Sequence, residues 1–171
     1  MRNLIRLTPL LIFALALNGC GLRPLYGGGS RGAVAQALGQ IEVAPIEGKA
    51  GWLVHNAITD RLGAMPQGAP VYRLKIELDD QITGFGIRAD DSVTRERRSL
   101  RARYQLIEAG RGTVVLDATA GSDAGIDIVS SEYATIAAEN TALENLSQAV
   151  ADQIVARLAL YAQRTPADEG Q

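Results

Sequence analysis

Val71-Tyr72-Arg73-Leu74-Lys75-Ile76-Glu77-Leu78-Asp79 is the stretch whose reading decides the fold. Successive side chains of an extended strand point to opposite faces. Tyr72, Leu74, Ile76 and Leu78 therefore share one face, and Val71, Arg73, Lys75, Glu77 and Asp79 share the other. Such alternation predicts an antiparallel-type strand with one face on a core and one in water.

Downstream, Gly84 and Gly86 loosen the end of this strand, and Arg88-Ala89-Asp90-Asp91 reads as a turn. A second alternating run extends from about Val93 to Ile107. Leu100, Ala102, Tyr104 and Leu106 form its core face, and Arg95, Arg97, Ser99, Arg101 and Arg103 its outer face. A one-residue slip flips a strand, so even positions must oppose even and odd must oppose odd. A two-residue hairpin would break that rule, which predicts an odd-length loop or a bulge between Gly84 and Asp91. Either allowed register sets Glu77 opposite or beside an arginine. After a turn at Glu108–Gly112, Thr113–Ala120 reads as a third meander strand and Gly121–Val129 as a loop.

Upstream, Ile41-Glu42-Val43-Ala44 reads as a short strand stopped by Pro45, and Gly48–Gly51 as a turn. Trp52–Leu62 carries Leu53, Val54, Ala57, Ile58 and Leu62, the stripe of an amphipathic helix, and Gly63 is placed to end it in the left-handed conformation. His55, the only histidine, lies off that stripe with no second His or Cys nearby, and reads as a surface residue. At the other end Ser130-Ser131 supplies an N-cap and Glu132 a favourable first-turn charge. A long helix follows, roughly Glu132–Gln163, with the stripe Ile136, Leu143, Leu146, Val150, Ile154, Leu158 and Tyr161. Pro166 ends it, and 165–171 reads as a disordered tail.

The expected fold is therefore α+β, in the order β-α-β-β-β-α. It is a two-layer sandwich in one domain, 40–164, with two helices packed on one face of a four-stranded, mostly antiparallel sheet. The arginine-rich face is left open. Composition agrees with a cored domain: 47% of the 171 residues are hydrophobic. The net charge of -2 argues against a nucleic-acid partner. The basic residues are nonetheless uneven. Only Lys49 and Lys75 among them are lysine, and four arginines crowd between Arg95 and Arg101.

The chain begins with Arg2, Arg6 and the apolar run Leu10–Leu17, too short for the roughly 20 residues a bilayer span needs. Leu17-Asn18-Gly19-Cys20 then places a small residue before the only cysteine, which resembles the lipobox of bacterial lipoproteins. Asn18 stands where that pattern prefers a small residue. The resemblance implies a signal peptide at 1–19, an acylated Cys20 and a lipidated flexible tether at 20–39, where Pro24 and Gly27-Gly28-Gly29 disfavour helix and central strand. The alternative is an ordinary secretory leader followed by a free thiol.

Cys20-Gly21-Leu22-Arg23-Pro24-Leu25-Tyr26-Gly27 is similar to the mature start of the lipopolysaccharide-assembly lipoproteins, the LptE family, in its alphaproteobacterial form. Ile41–Ile46 with the helix ending Asp60-Arg61-Leu62, and Ser130-Ser131-Glu132-Tyr133-Ala134-Thr135, resemble the family too. The resemblance implies a non-enzymatic protein anchored in the outer membrane through Cys20 and facing the periplasm. It implies two partners, a large outer-membrane β-barrel of the LptD type and lipopolysaccharide. The runner-up is another envelope lipoprotein, a periplasmic scaffold or a subunit of a different assembly complex.

The candidate contact residues are Arg73, Lys75, Arg95, Arg97, Arg101 and Arg103. Arginines two apart on a strand lie on one side about 7 Å from each other and can grip phosphates by paired hydrogen bonds. The same row also suits cross-strand pairing with Glu77, Asp79 and other acids, or the polar lumen of a barrel. No catalytic residue, metal site or cofactor is expected. One lone histidine, no phosphate loop and no ligand spacing leave nothing for such chemistry.

Overall fold

The computed structural model describes residues 32–63, 69–87 and 93–165. The expected signal peptide at 1–19, Cys20, the expected turn at Arg88–Asp91 and the expected tail beyond Thr165 lie outside these residues.

Seven elements follow one another: α1 (Ala33–Leu38), β1 (Ile41–Val43), α2 (Gly48–Leu62), β2 (Tyr72–Ile87), β3 (Val93–Glu108), β4 (Val114–Asp127) and α3 (Glu132–Arg164). The sheet order is β1-β2-β3-β4, with β1 parallel to β2 and the other pairs antiparallel. The α+β sandwich expected from the sequence is the observed one.

The register obeys the parity argument. Leu74 opposes Leu106, Ile76 opposes Tyr104 and Leu78 opposes Ala102, while Glu77 opposes Arg103. Ile87 opposes Val93, so five residues separate the strands, an odd number. The even positions thus share the helix side, and Leu74, Ile76, Leu100, Ala102, Tyr104 and Leu106 among them reach one core. Leu74, Leu100 and Ile154 are fully buried there, beside Val54, Ile58 and Val150 from the two long helices.

Length matching sets the layer. At about 1.5 Å per residue the 33-residue α3 is roughly 50 Å long, the same as a 16-residue strand at about 3.3 Å per residue. Contacts follow it down the sheet: Arg98 bonds the Glu139 carbonyl, Gln153 bonds Gly121, and Tyr161 meets Tyr72 edge-on at 6.4 Å. The 15-residue α2 is less than half as long and lies beside α3, tied by Lys49–Asn140 at 2.6 Å and by Arg61 to Asp152 and Gln148.

Five expectations are corrected. The last part of the segment read as tether, 33–38, is helix α1, and Leu38 at its end is 2% exposed in the core. The glycines before it hid a six-residue run of good helix formers. Gly48–Gly51 is the first turn of α2 rather than a separate turn. Gly48 enters it at φ +79°, and a Cβ on Gly51 would stand 2.5 Å from the Ile46 carbonyl oxygen, so only glycine lets that strand exit pack against the helix. Gly63 ends α2 with φ 86° and ψ 146°, a glycine conformation but not the left-handed helical one.

The strand expected to end at Ala120 runs on to Asp127, so most of the stretch read as loop is β4 pairing with β3 from Arg101 to Arg95. Ile136, expected in the stripe of α3, is 48% exposed; Thr135 is buried instead. The cap on α3 forms as expected, the Ser131 hydroxyl accepting from the Ala134 N–H at 3.4 Å.

Candidate functional site

The odd positions of β2, β3 and β4 make the sheet face opposite the helices. Period-two geometry brings Arg73, Lys75, Arg95, Arg97, Arg101 and Arg103 together there, all exposed, as the alternation predicts. What the alternation does not give is their partners.

Five of the six hold a carboxylate. Arg73 Nε meets Glu42 Oε2 at 3.2 Å, and Lys75 Nζ meets Glu77 Oε1 at 3.0 Å. Arg95 Nε meets Asp127 Oδ1 at 2.7 Å. Arg101 spans both oxygens of Asp123 at 2.9 and 2.8 Å and also donates to the Ser122 carbonyl. Arg103 makes two bonds to Asp117, at 3.3 and 3.0 Å. Gly121 opposite Arg101 belongs to this arrangement, since a Cβ there would lie 2.6 Å from Arg101 Cδ.

These pairs pull the acids down. Hydrogen bonds from Arg103 and then Gln105 hold Asp117 below the usual carboxylate range, and those from Ser99 and Arg101 do the same for Asp123. Lys75 lowers Glu77, while Asp117 raises the already basic Arg103. All lie in water, where each pair is worth little and exchanges readily.

Arg97 differs. Among the described residues no carboxylate bonds it; its guanidinium carbon stands 5.5 Å from the centre of the Phe85 ring, a cation–π contact that leaves the N–H fork open. Between Arg95 and Arg101 it is the cation of this row most available to an incoming anion. Further along the row a shallow concavity of about 800 Å³ opens, with Glu77, Asp79, Arg101 and Arg103 among its lining.

The sequence reading missed a second charged group, on the helix side. Arg98 binds both oxygens of Asp80, at 2.8 and 2.6 Å, and donates to the Glu139 carbonyl at 2.9 Å. It is the best-buried ion pair among the described residues, its side chains 12% and 23% exposed. Asp80 keeps the Arg98 guanidinium strongly protonated. Next to it, Glu96 has one buried oxygen, Oε2, with no donor among the described residues. Burial, and then the neighbouring Glu139 carboxylate, push its pKa up. Even numbering was the available signal, because Glu96 and Arg98 share parity with Leu100.

Among the described residues no group of three or more His, Cys, Asp or Glu side chains is placed to hold a metal ion. His55 is half-buried at a groove of about 180 Å³ that Leu38, Ile41, Thr59 and Leu62 also line, rather than fully on the surface. No described helix is long and apolar enough to cross a membrane.

An α+β sandwich with one helix-covered and one charged open face defines the class. Residues 38–158 match the lipopolysaccharide-assembly family, LptE, and the chain belongs to that family. Its fold is similar to that of a lipoprotein from Caulobacter crescentus, 25% identical, over 77% of this chain and 98% of that one, with a TM-score of 0.65. A minor lipoprotein from Acinetobacter baumannii shares the fold at 12% identity, over 71% and 89% of the two chains, with a TM-score of 0.55. Lipoprotein B from Nitrosomonas europaea does so at 12% identity, over 72% and 82%, with a TM-score of 0.56. No curated protein matches the chain in sequence.

Proposed function

We infer that this protein is a non-enzymatic outer-membrane lipoprotein, facing the periplasm and held by an acylated Cys20. It sits as a plug in a large β-barrel translocon of the LptD type, helps that barrel fold, and helps deliver lipopolysaccharide to the cell surface. Membership of the lipopolysaccharide-assembly family supports the setting. The observation that carries the reading further is the open sheet face, whose basic row is solvated and held only by exchangeable surface pairs.

A phosphate bears more charge than one carboxylate and matches the arginine fork in two hydrogen bonds. On this face Arg97 is the first contact, and Arg95 and Arg101, on either side of it along β3, take neighbouring phosphates by releasing Asp127 and Asp123. Arg73, Lys75 and Arg103 extend the row toward the barrel wall. Anchoring rests on Cys20. One acyl chain holds only marginally at about 0.8 kcal/mol per buried methylene, whereas two or more hold stably.

Gentle detergent extraction of the tagged full-length protein, with mass spectrometry, tests the setting. A near-stoichiometric large β-barrel and an acylated Cys20 are expected; an unacylated protein emerging alone refutes the reading. Replacing Arg95, Arg97 and Arg101 together with Gln tests the face. Binding to lipopolysaccharide or barrel should weaken while the melting temperature barely moves, and a collapse of the melting temperature would make the arginines structural.

A further inference from the structure

The two long edges of the sheet are treated differently. On β4, the Gln153 side chain reaches over the edge and satisfies both the N–H and the C=O of Gly121, at 3.2 and 3.1 Å. On the other side, β1 pairs only Tyr72–Leu74 of β2 before Pro45 stops it. The Leu74 carbonyl accepts from the Ala44 N–H toward β1, so even residues of β2 turn their backbone groups to that edge and odd ones to β3. Beyond Leu74 the outward groups belong to Ile76, Leu78, Asp80, Ile82 and Gly84. Among the described residues no strand pairs with them on that side. They span about 27 Å at roughly 3.4 Å per residue. Natural sheets cover or blunt such an edge unless it is used.

We propose that the β2 edge from Ile76 to Gly84 is a docking site for an extended strand of a partner protein that carries basic residues on one face and apolar residues on the other. Backbone hydrogen bonds supply the affinity and side-chain pairing supplies the choice, as in strand addition generally. The choice can be read from the edge. Among the described residues Asp79 on the open face has only Gln81 as a side-chain partner, because Arg101 opposite it is taken by Asp123, so it calls for a cation on the incoming strand. Ile82, on the other face, is 42% exposed and calls for an apolar neighbour. A second copy of this chain meets like charges in the registers centred on Leu78 and Asp79, which set Glu77 against Asp79 and Asp79 against itself; registers centred further along the edge are separated from a foreign strand by the oligomeric state. The inference uses the edge alone and stands apart from the role proposed for the basic face.

The test uses the full-length protein in detergent, labelled with nitrogen-15, and the synthetic peptide acetyl-KVTVKVTVK-amide, with acetyl-EVTVEVTVE-amide as its charge-reversed control. The basic peptide should slow amide exchange at least tenfold at Ile76, Leu78, Asp80, Ile82 and Gly84, with the acidic peptide leaving them unchanged. Ile82→Pro removes one outward N–H and no bond to β3, and should weaken binding about tenfold. Asp79→Lys should turn the preference toward the acidic peptide, which keeps the proposal testable if the proline variant misfolds. Unchanged exchange at these amides, protection elsewhere, or a preference that ignores the charge at position 79 would overturn it. Concentration-dependent dimerisation that protects the same amides without peptide would overturn it as well, in favour of a second copy.

Discussion

On the helix side of the sheet, Leu100, Ala102 and Tyr104 are 2% exposed or less, packed in a core shared with Val150 and Ile154. One residue away along the same strand, Arg101 and Arg103 hold Asp123 and Asp117 in open water. The covered face is held by removal of apolar surface from water, which tolerates little loss of volume. The open face is held by charge pairs that solvent already screens, so it can change partners without unfolding the domain. Stability and recognition are thereby separated across the thickness of one sheet. Toward the N-terminal end of α3 the separation blurs: Arg98, Asp80 and Glu96 bring charge onto the helix side.

Leu100→Ala should break the comparison hardest on the covered side, costing about 2–5 kcal/mol in urea unfolding. Arg101→Ala on the same strand should stay within the scatter of surface substitutions. If the two costs prove similar, the faces are not separated. Arg98→Ala comes next, at about 1–3 kcal/mol, because it strands Asp80 and the Glu139 carbonyl. In a double-mutant cycle with Asp80→Asn the losses should be clearly less than additive.

Glu96→Gln sharpens the contrast through pH. A carboxyl whose folded pKa is raised contributes stability that is complete below its unfolded pKa and is lost as pH rises through the folded value. Since glutamine stays neutral, the variant should exceed the native protein at pH 8, with the gap closing by about pH 4. A gap that persists at low pH would assign the gain to packing.

Asp117 and Asp123 carry the opposite sign and the smallest effect. Their lowered pKa values give stability that is present above the ordinary carboxylate range and lost as pH falls through the folded values. Asp117→Asn with Asp123→Asn should therefore lower stability slightly at pH 7 and flatten the acid limb of the curve, the gap to the native protein closing as pH falls below about 4. An equal drop at both pH values would show that the pairs matter for shape rather than charge.

Much of this was legible because β2 and β3 alternate so strictly. Parity alone put all six basic residues on one face and Glu77 opposite or beside an arginine, and the structure makes that arginine Arg103. The far half of β4 was not legible, since Gly121-Ser122-Asp123-Ala124-Gly125 has no β-branched or aromatic residue. It is extended because Arg101 and Ser99 bind Asp123 and Gln153 binds Gly121, bonds to residues at least 20 positions away. Arg98 was visible by parity, but its partners Asp80 and Glu139 come from another strand and from α3. Ile136 looked like core because helical spacing says which side a residue is on, not whether a neighbour reaches that far.

The 33-residue α3 is the last of the described elements and the main cover of the sheet. During synthesis at about 5–20 residues per second, the strands are complete well before their lid exists. Until Leu158 and Ala159 have emerged, Leu100, Tyr104 and Leu106 face whatever surrounds the growing chain, and β2 keeps an unpaired edge beside them. Folding therefore waits for α3. A chain cut short after Asp127 would be a sticky sheet rather than a smaller version of the same protein.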